Sequence, residues 1–197
     1  MGRGGSLSLN SGTRLVLSAI VLTAWAAAVG AAQLPEELTA RAEQGDPAAQ
    51  NELGSRYYAG RGVEKDEVEA LRWVRLSAEQ GYGPAQYNLG LMYFRNRGVE
   101  GASENDEAAA RWYRLAADQG YPPAQAGLAY MYEYGAGIEK DEVAAYMWLE
   151  LAVAGTTADF SKRLFSAKRD ELAERLTADQ IAEAERRAAE WKPVGER

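Results

Sequence analysis

From Ala49 onward the apolar positions of this chain follow helical spacing, and the same spacing returns twice. Ala49, Leu53, Gly54 and Tyr57 are matched by Ala85, Leu89, Gly90 and Tyr93, and then by Ala124, Leu128, Ala129 and Tyr132. Offsets of 4, 5 and 8 from the leading alanine lie along one stripe of an α-helix, so these are predicted core positions. Each stripe follows a helix start: Asp46 before Pro47, then Gly83-Pro84, then Pro122-Pro123. A capping carboxylate before a residue with fixed φ and no N–H suits a first helical turn. We label these helices A. A glycine inside a helix costs about 1 kcal/mol against alanine. Its return at Gly54 and Gly90 therefore predicts a partner helix too close to admit a side chain.

Glycine and asparagine at Gly60-Arg61-Gly62-Val63, Asn96-Arg97-Gly98-Val99 and Gly135-Ala136-Gly137-Ile138 end the A helices. No Lys-Ser/Thr follows them and no strand precedes, so they read as turns and not as a phosphate cradle. A second helix, B, is predicted to begin at the N-caps Asp66, Asn105 and Asp141. The neighbouring acids Glu67, Asp106, Glu107 and Glu142 suit the positive end of the helix dipole, which accounts for them without a metal or a catalytic role. Each B helix carries one tryptophan, Trp73, Trp112 or Trp148, followed by Leu76, Leu115 or Leu151, all read as core. Gln44-Gly45, Gln80-Gly81 and Gln119-Gly120 recur at spacings of 36 and 39. The three extra residues fall within Glu100-Gly101-Ala102-Ser103-Glu104, expected as a surface loop. A period of this length marks a unit that is stable only when stacked on its neighbours.

The array needs ends. Residues 34–44 are predicted as a short leading helix carrying Leu38 and Ala42. After Ala154-Gly155 the pattern degrades: Leu164, Phe165, Leu172 and Leu176 suggest one helix, and Thr177-Ala178-Asp179-Gln180 is a capping box for a last one. That last helix would turn Ile181, Ala184, Ala188 and Trp191 inward and Glu183, Glu185, Arg186 and Arg187 outward. The first 32 residues stand apart. Arg3 and Arg14, an apolar or small run from Leu15 to Val29, and Val29-Gly30-Ala31-Ala32 read as a secretory signal cut after Ala31 or Ala32. The alternative is an uncleaved anchor over the same run. The expected organisation is a signal at 1–32, a repeat array at 33–155 in units of about 42–77, 78–116 and 117–152, and a helical cap at 156–197. The expected location is periplasmic or secreted.

Charge narrows the partners. Removing the signal takes Arg3 and Arg14, so the 22 basic residues fall to 20 against 29 acidic ones, a net charge of −9. Such a surface argues against nucleic acid, and against membranes once the signal is gone. The chain contains no Cys and no His. Disulfides, thiol nucleophiles, zinc-thiolate sites, Ser-His-Asp relays and imidazole acid-base chemistry are thereby excluded. No catalytic residue, cofactor or metal site is assigned.

The phrase Ala-x-Gln-Gly, Ala-Gln, Leu-Gly, Tyr, Gly-x-Gly-Val, Asp, Ala-x-x-Trp, Ala is matched by the units starting at Ala42 and Ala78. The unit from Ala117 substitutes Ala129 and Ile138. Over residues 40 to 155 this resembles the Sel-one-like repeat, a relative of the tetratricopeptide repeat. The resemblance implies an all-α, right-handed α-solenoid whose A helices line the inner curve, and a protein that serves as an adaptor. A β-lactam-binding role known for Cys-rich members is not carried over. On the A-helix face opposite the core stripe stand Asn51, Ser55 and Tyr58; Tyr87, Leu91 and Phe94; and Ala126, Tyr130 and Glu133, with Tyr134 close by. These are the candidate partner-binding residues, because large apolar side chains occupy positions the core does not require. The competing reading is that the rings bridge adjacent units. Acidic surroundings would suit a basic or neutral protein or peptide. The predicted function is an exported, non-catalytic interaction module of unknown oligomeric state. Alternatives are a two-carboxylate envelope enzyme acting on peptidoglycan and a membrane-anchored scaffold.

Overall fold

A computed structural model of the chain describes residues 35–95 and 102–195. The predicted signal, Leu34 and the turn Asn96-Arg97-Gly98-Val99 lie outside them. Among the described residues there are nine helices and no strand. They are α1 (Glu36–Glu43), α2 (Pro47–Ala59), α3 (Glu67–Glu79), α4 (Gly83–Arg95), α5 (Ala102–Asp118), α6 (Pro122–Tyr134), α7 (Glu142–Gly155), α8 (Asp159–Ala173) and α9 (Ala178–Glu190). Helices α2/α3, α4/α5 and α6/α7 are the three A/B hairpins, and each hairpin packs on the next through α3 against α4 and α5 against α6. This is an α-solenoid. No helix among the described residues is long and apolar enough to cross a membrane.

Local chemistry sets the boundaries. Asp46 accepts from the N–H groups of Ala48 and Ala49, Asp66 from those of Val68 and Glu69, and Asp141 from that of Ala144. Gly60 and Gly135 close α2 and α6 in the left-handed region, at φ 66° and 65°. Asn105 departs from the expectation. Helix α5 already starts at Ala102, so Asn105 lies inside its first turns and the extra residues partly lengthen a helix instead of a loop. Ala102 is a strong helix former and Glu104, Asp106 and Glu107 are acids near a helix N-terminus, and this favours winding backward by a turn.

Within each hairpin the stripe is buried as its spacing requires. Ala49, Leu53, Ala85, Leu89, Ala124, Leu128 and Ala129 are buried, while Tyr57, Tyr93 and Tyr132 are half-buried. Arg75 donates to the Tyr93 hydroxyl at 3.0 Å and Arg114 to that of Tyr132 at 2.5 Å. A Cβ on Gly54 would sit 2.6 Å from Val74 Cγ2, and one on Gly90 would sit 2.8 Å from Tyr113 Cδ1. The two glycines are what let A and B helices approach. Trp73 and Trp148 are buried, and Trp112 is half-buried against the cluster of Val74, Ala78, Ala85 and Leu89. Leu76 and Leu115 correct the core reading, because both are exposed. Buried positions of α3 run Ala70, Trp73, Val74, Ser77, Ala78, and at about 100° per residue Leu76 points away from that stripe.

A glutamine relay joins the units. Gln50, Gln86 and Gln125 donate through Nε2 to the carbonyls of Ala42, Ala78 and Ala117 at 3.0, 3.3 and 3.4 Å. Gln80 in turn donates to Gln50 Oε1 at 2.7 Å, and Gln119 to Gln86 Oε1 at 2.8 Å. The C-terminal cap then covers α7. Helices α8 and α9 both pack on it, Trp191 meets Trp148 edge-on at 5.9 Å, and the Val194 N–H donates to the Asp118 carbonyl at 2.7 Å. Thr177 and Gln180 form the expected capping box, and Leu172 of α8 and Ala184 of α9 are the buried residues of the cap helices themselves. Leu164 is exposed and adds nothing to that core.

Candidate partner-binding face

The candidate residues divide into three groups by what their side chains touch. Asn51, Tyr87 and Glu133 are engaged within the fold. Asn51 Oδ1 accepts from Asn88 Nδ2 at 2.8 Å, linking α2 to α4. Tyr87 sits between Tyr113 and Tyr121, with ring centroids 5.7 Å away in each case. Burial pushes the hydroxyls of all three above the ordinary tyrosine range. Glu133 is 8% exposed and ion-paired with Arg175 just after α8, so it ties the cap to the last A helix.

A second group lines a cavity of about 190 Å³ between α2 and α4. Ser55, Tyr58 and Leu91 contribute to its wall, together with Gly54, Ala59, Val74, Asn88 and Met92. Two arginines complete it. Arg61 comes from the α2–α3 turn, and Arg95 from the end of α4, donating through Nη1 to the Tyr58 hydroxyl at 3.0 Å. They are the charged residues of the lining, so the acidity of the chain does not extend into it. This cavity thus carries two arginines and no carboxylate within surroundings expected to be acidic. Sequence reasoning passed over Arg61 and Arg95 because turn chemistry and a helix terminus explained their neighbours. The available signal was two arginines at A-helix ends in a chain whose charge is negative.

The third group is an aromatic row running across adjacent A helices. Phe94 on α4 meets Tyr130 on α6 edge-on at 5.3 Å, and Tyr130 meets Tyr134 at 4.5 Å. The rings do bridge units, yet Tyr130 and Tyr134 remain 39% and 55% exposed. Ser55, Leu91 and Tyr130 occupy the same phase of successive A helices, and so do Tyr58, Phe94 and Glu133. One face therefore presents a different residue at each step. Elsewhere the carboxylates of Asp46, Glu171 and Glu183 are held below their ordinary range by hydrogen bonds from Arg41, Lys168 and Arg187 respectively. A general acid needs the opposite shift.

A protein-family model described as Sel1 repeat matches residues 47–82, 83–121 and 122–155. Among solved structures the chain is similar to a Sel1 repeat protein from Oxalobacter formigenes, with 40% identity, 66% of this chain and 96% of that chain covered, and a TM-score of 0.56. It is also similar to a protective antigen of uropathogenic Escherichia coli strains displaying an SLR fold. That likeness has 31% identity over 78% of this chain and 39% of that one, with a TM-score of 0.43. No curated protein matches the chain.

Proposed function

This chain belongs to the Sel1 repeat family, and on that premise we propose that it is an exported adaptor holding a protein or peptide partner against its A-helix face without catalysis. The observation that carries this reading is the aromatic row of half-buried Phe94 and exposed Tyr130 and Tyr134, together with the cavity at Tyr58 and Leu91. Exposed rings next to polar groups concentrate binding energy, and a stack of rigid hairpins presents them at fixed spacing. Sel1 repeat folds serve as interaction scaffolds. The face varies from unit to unit where the core does not, as a surface shaped for a particular partner would.

Export rests on the Arg3 to Ala32 pattern in the sequence. N-terminal sequencing of the protein recovered from its native host should read from Ala32 or Gln33; retention of Met1 would replace the exported reading with the anchored one. For binding, the full-length chain and its Tyr58→Ala/Tyr134→Ala variant are to be compared in affinity capture from the native envelope. A partner recovered by the parent and lost by the variant is the expected result. Equal recovery would take the A-helix face out of the account.

A further inference from the structure

Resting on the reading of the A-helix face as a partner-binding surface, we infer that the cavity between α2 and α4 receives an acidic peptide segment of the partner. An apolar side chain fills the cavity, and an adjacent carboxylate bonds Arg95 and Arg61. The volume, about 190 Å³, is of the order that accepts one large apolar group, since an apolar cavity of roughly 150 Å³ takes up benzene. Val74, Leu91, Met92 and the Tyr58 ring supply its apolar wall. A thioether such as that of Met92 adapts to more than one occupant shape.

The charges decide which segment fits. Arg56, Lys65 and Arg72 on the flanking elements are each neutralised by a glutamate, namely Glu52, Glu67 and Glu69 at 2.8, 2.7 and 2.6 Å. Arg61 and Arg95 make no ion pair among the described residues, and the hydroxyl of Tyr58 that receives Arg95 is a neutral acceptor. Glu67, the acid on the far side of Tyr58, is engaged by Lys65. Two guanidinium groups that line an apolar cavity and make no ion pair among the described residues are complementary to a carboxylate beside an apolar residue, and a planar fork binds a carboxylate through two parallel hydrogen bonds. A basic segment would be repelled here, and a purely apolar one would leave Arg95 with the Tyr58 hydroxyl and give neither guanidinium a carboxylate.

The test is selection of random dodecapeptides on the immobilised full-length chain, followed by anisotropy titration of an enriched peptide. Enriched sequences should pair Asp or Glu with leucine, isoleucine, methionine or phenylalanine. Arg95→Gln and Arg61→Gln should each raise Kd about tenfold, Arg95→Lys should restore part of the loss, and added salt should weaken binding to the parent chain. Enrichment of basic or uncharged peptides that lose affinity in Leu91→Glu would overturn the acidic inference and leave the partner-binding reading standing. Peptides indifferent to every substitution on this face would overturn both. An absence of enrichment would overturn the inference alone, with the capture experiment deciding the broader reading.

Discussion

Gln125 shows how much one residue position carries. Its Oε1 is buried without a hydrogen-bond partner, whereas Gln50 and Gln86 receive Gln80 and Gln119. Counting along the repeat, Gly155 stands where those two donors stand, and a Cβ built there would lie 3.9 Å from Gln125 Oε1. Gly155→Gln should therefore be more stable than Gly155→Ala by about 1 kcal/mol, the worth of one hydrogen bond, as read from thermal melts. A Gln variant no better than the Ala variant would show that the relay contributes nothing at this end. The Gln-Gly phrase was visible in the sequence as a marker of period; why glutamine recurs was not, because its partners lie 30 or more residues away. Tyrosine ionisation offers a second reading at this scale. Burial holds Tyr87, Tyr113 and Tyr121 neutral beyond the ordinary value near 10, so their contribution is fully present below about pH 10 and is lost as the pH rises through their raised values. In an alkaline titration followed by tyrosinate absorbance and circular dichroism, these three should ionise together with loss of helix. Uniform titration of all 11 tyrosines with the helices intact would contradict the aromatic cluster.

At the scale of the element, helix identity and order follow from periodicity and caps, while lengths and outer faces depend on context. Asp46, Asp66 and Asp141 act as the caps their positions predict. Asn105 does not, since acids and alanine upstream of it support one more turn. Leu76 and Leu115 look like core in a hydrophobicity pattern and face outward in the fold, because each lies off its helix's buried stripe. Close helix approach was legible from Gly54 and Gly90, and it can be measured. Gly54→Ala should destabilise the chain by about 1 to 3 kcal/mol in denaturant, despite alanine's better helix propensity, because its Cβ meets Val74 at 2.6 Å. A stabilised variant would mean that α2 and α3 have room to spare. Trp148→Ala, at a buried indole packed on Trp191, should cost about 3 to 5 kcal/mol and more than Trp112→Ala at its half-buried site.

For the whole molecule, three hairpins and a cap form a stack in which each layer packs mainly on its neighbours, so the sum of local patterns is nearly the fold. That is why the solenoid was readable from one chain. The binding face was readable only in part. The residue types at variable A-helix positions were evident, but not that Glu133 is spent on Arg175, that Tyr87 is packed between two other rings, or that two arginines border the cavity. Side chains of this kind find partners on other elements, which helical phase does not report. A partner is expected to dock on the A helices and not on the outer B-helix face, where Leu115 is 48% exposed. A photo-crosslinking residue placed at Tyr134 or at Leu115 of the full-length chain, in its native host, tests this most directly. A discrete cross-linked partner from position 134 and none from position 115 is the predicted result; the reverse pattern would contradict the assignment of the binding face.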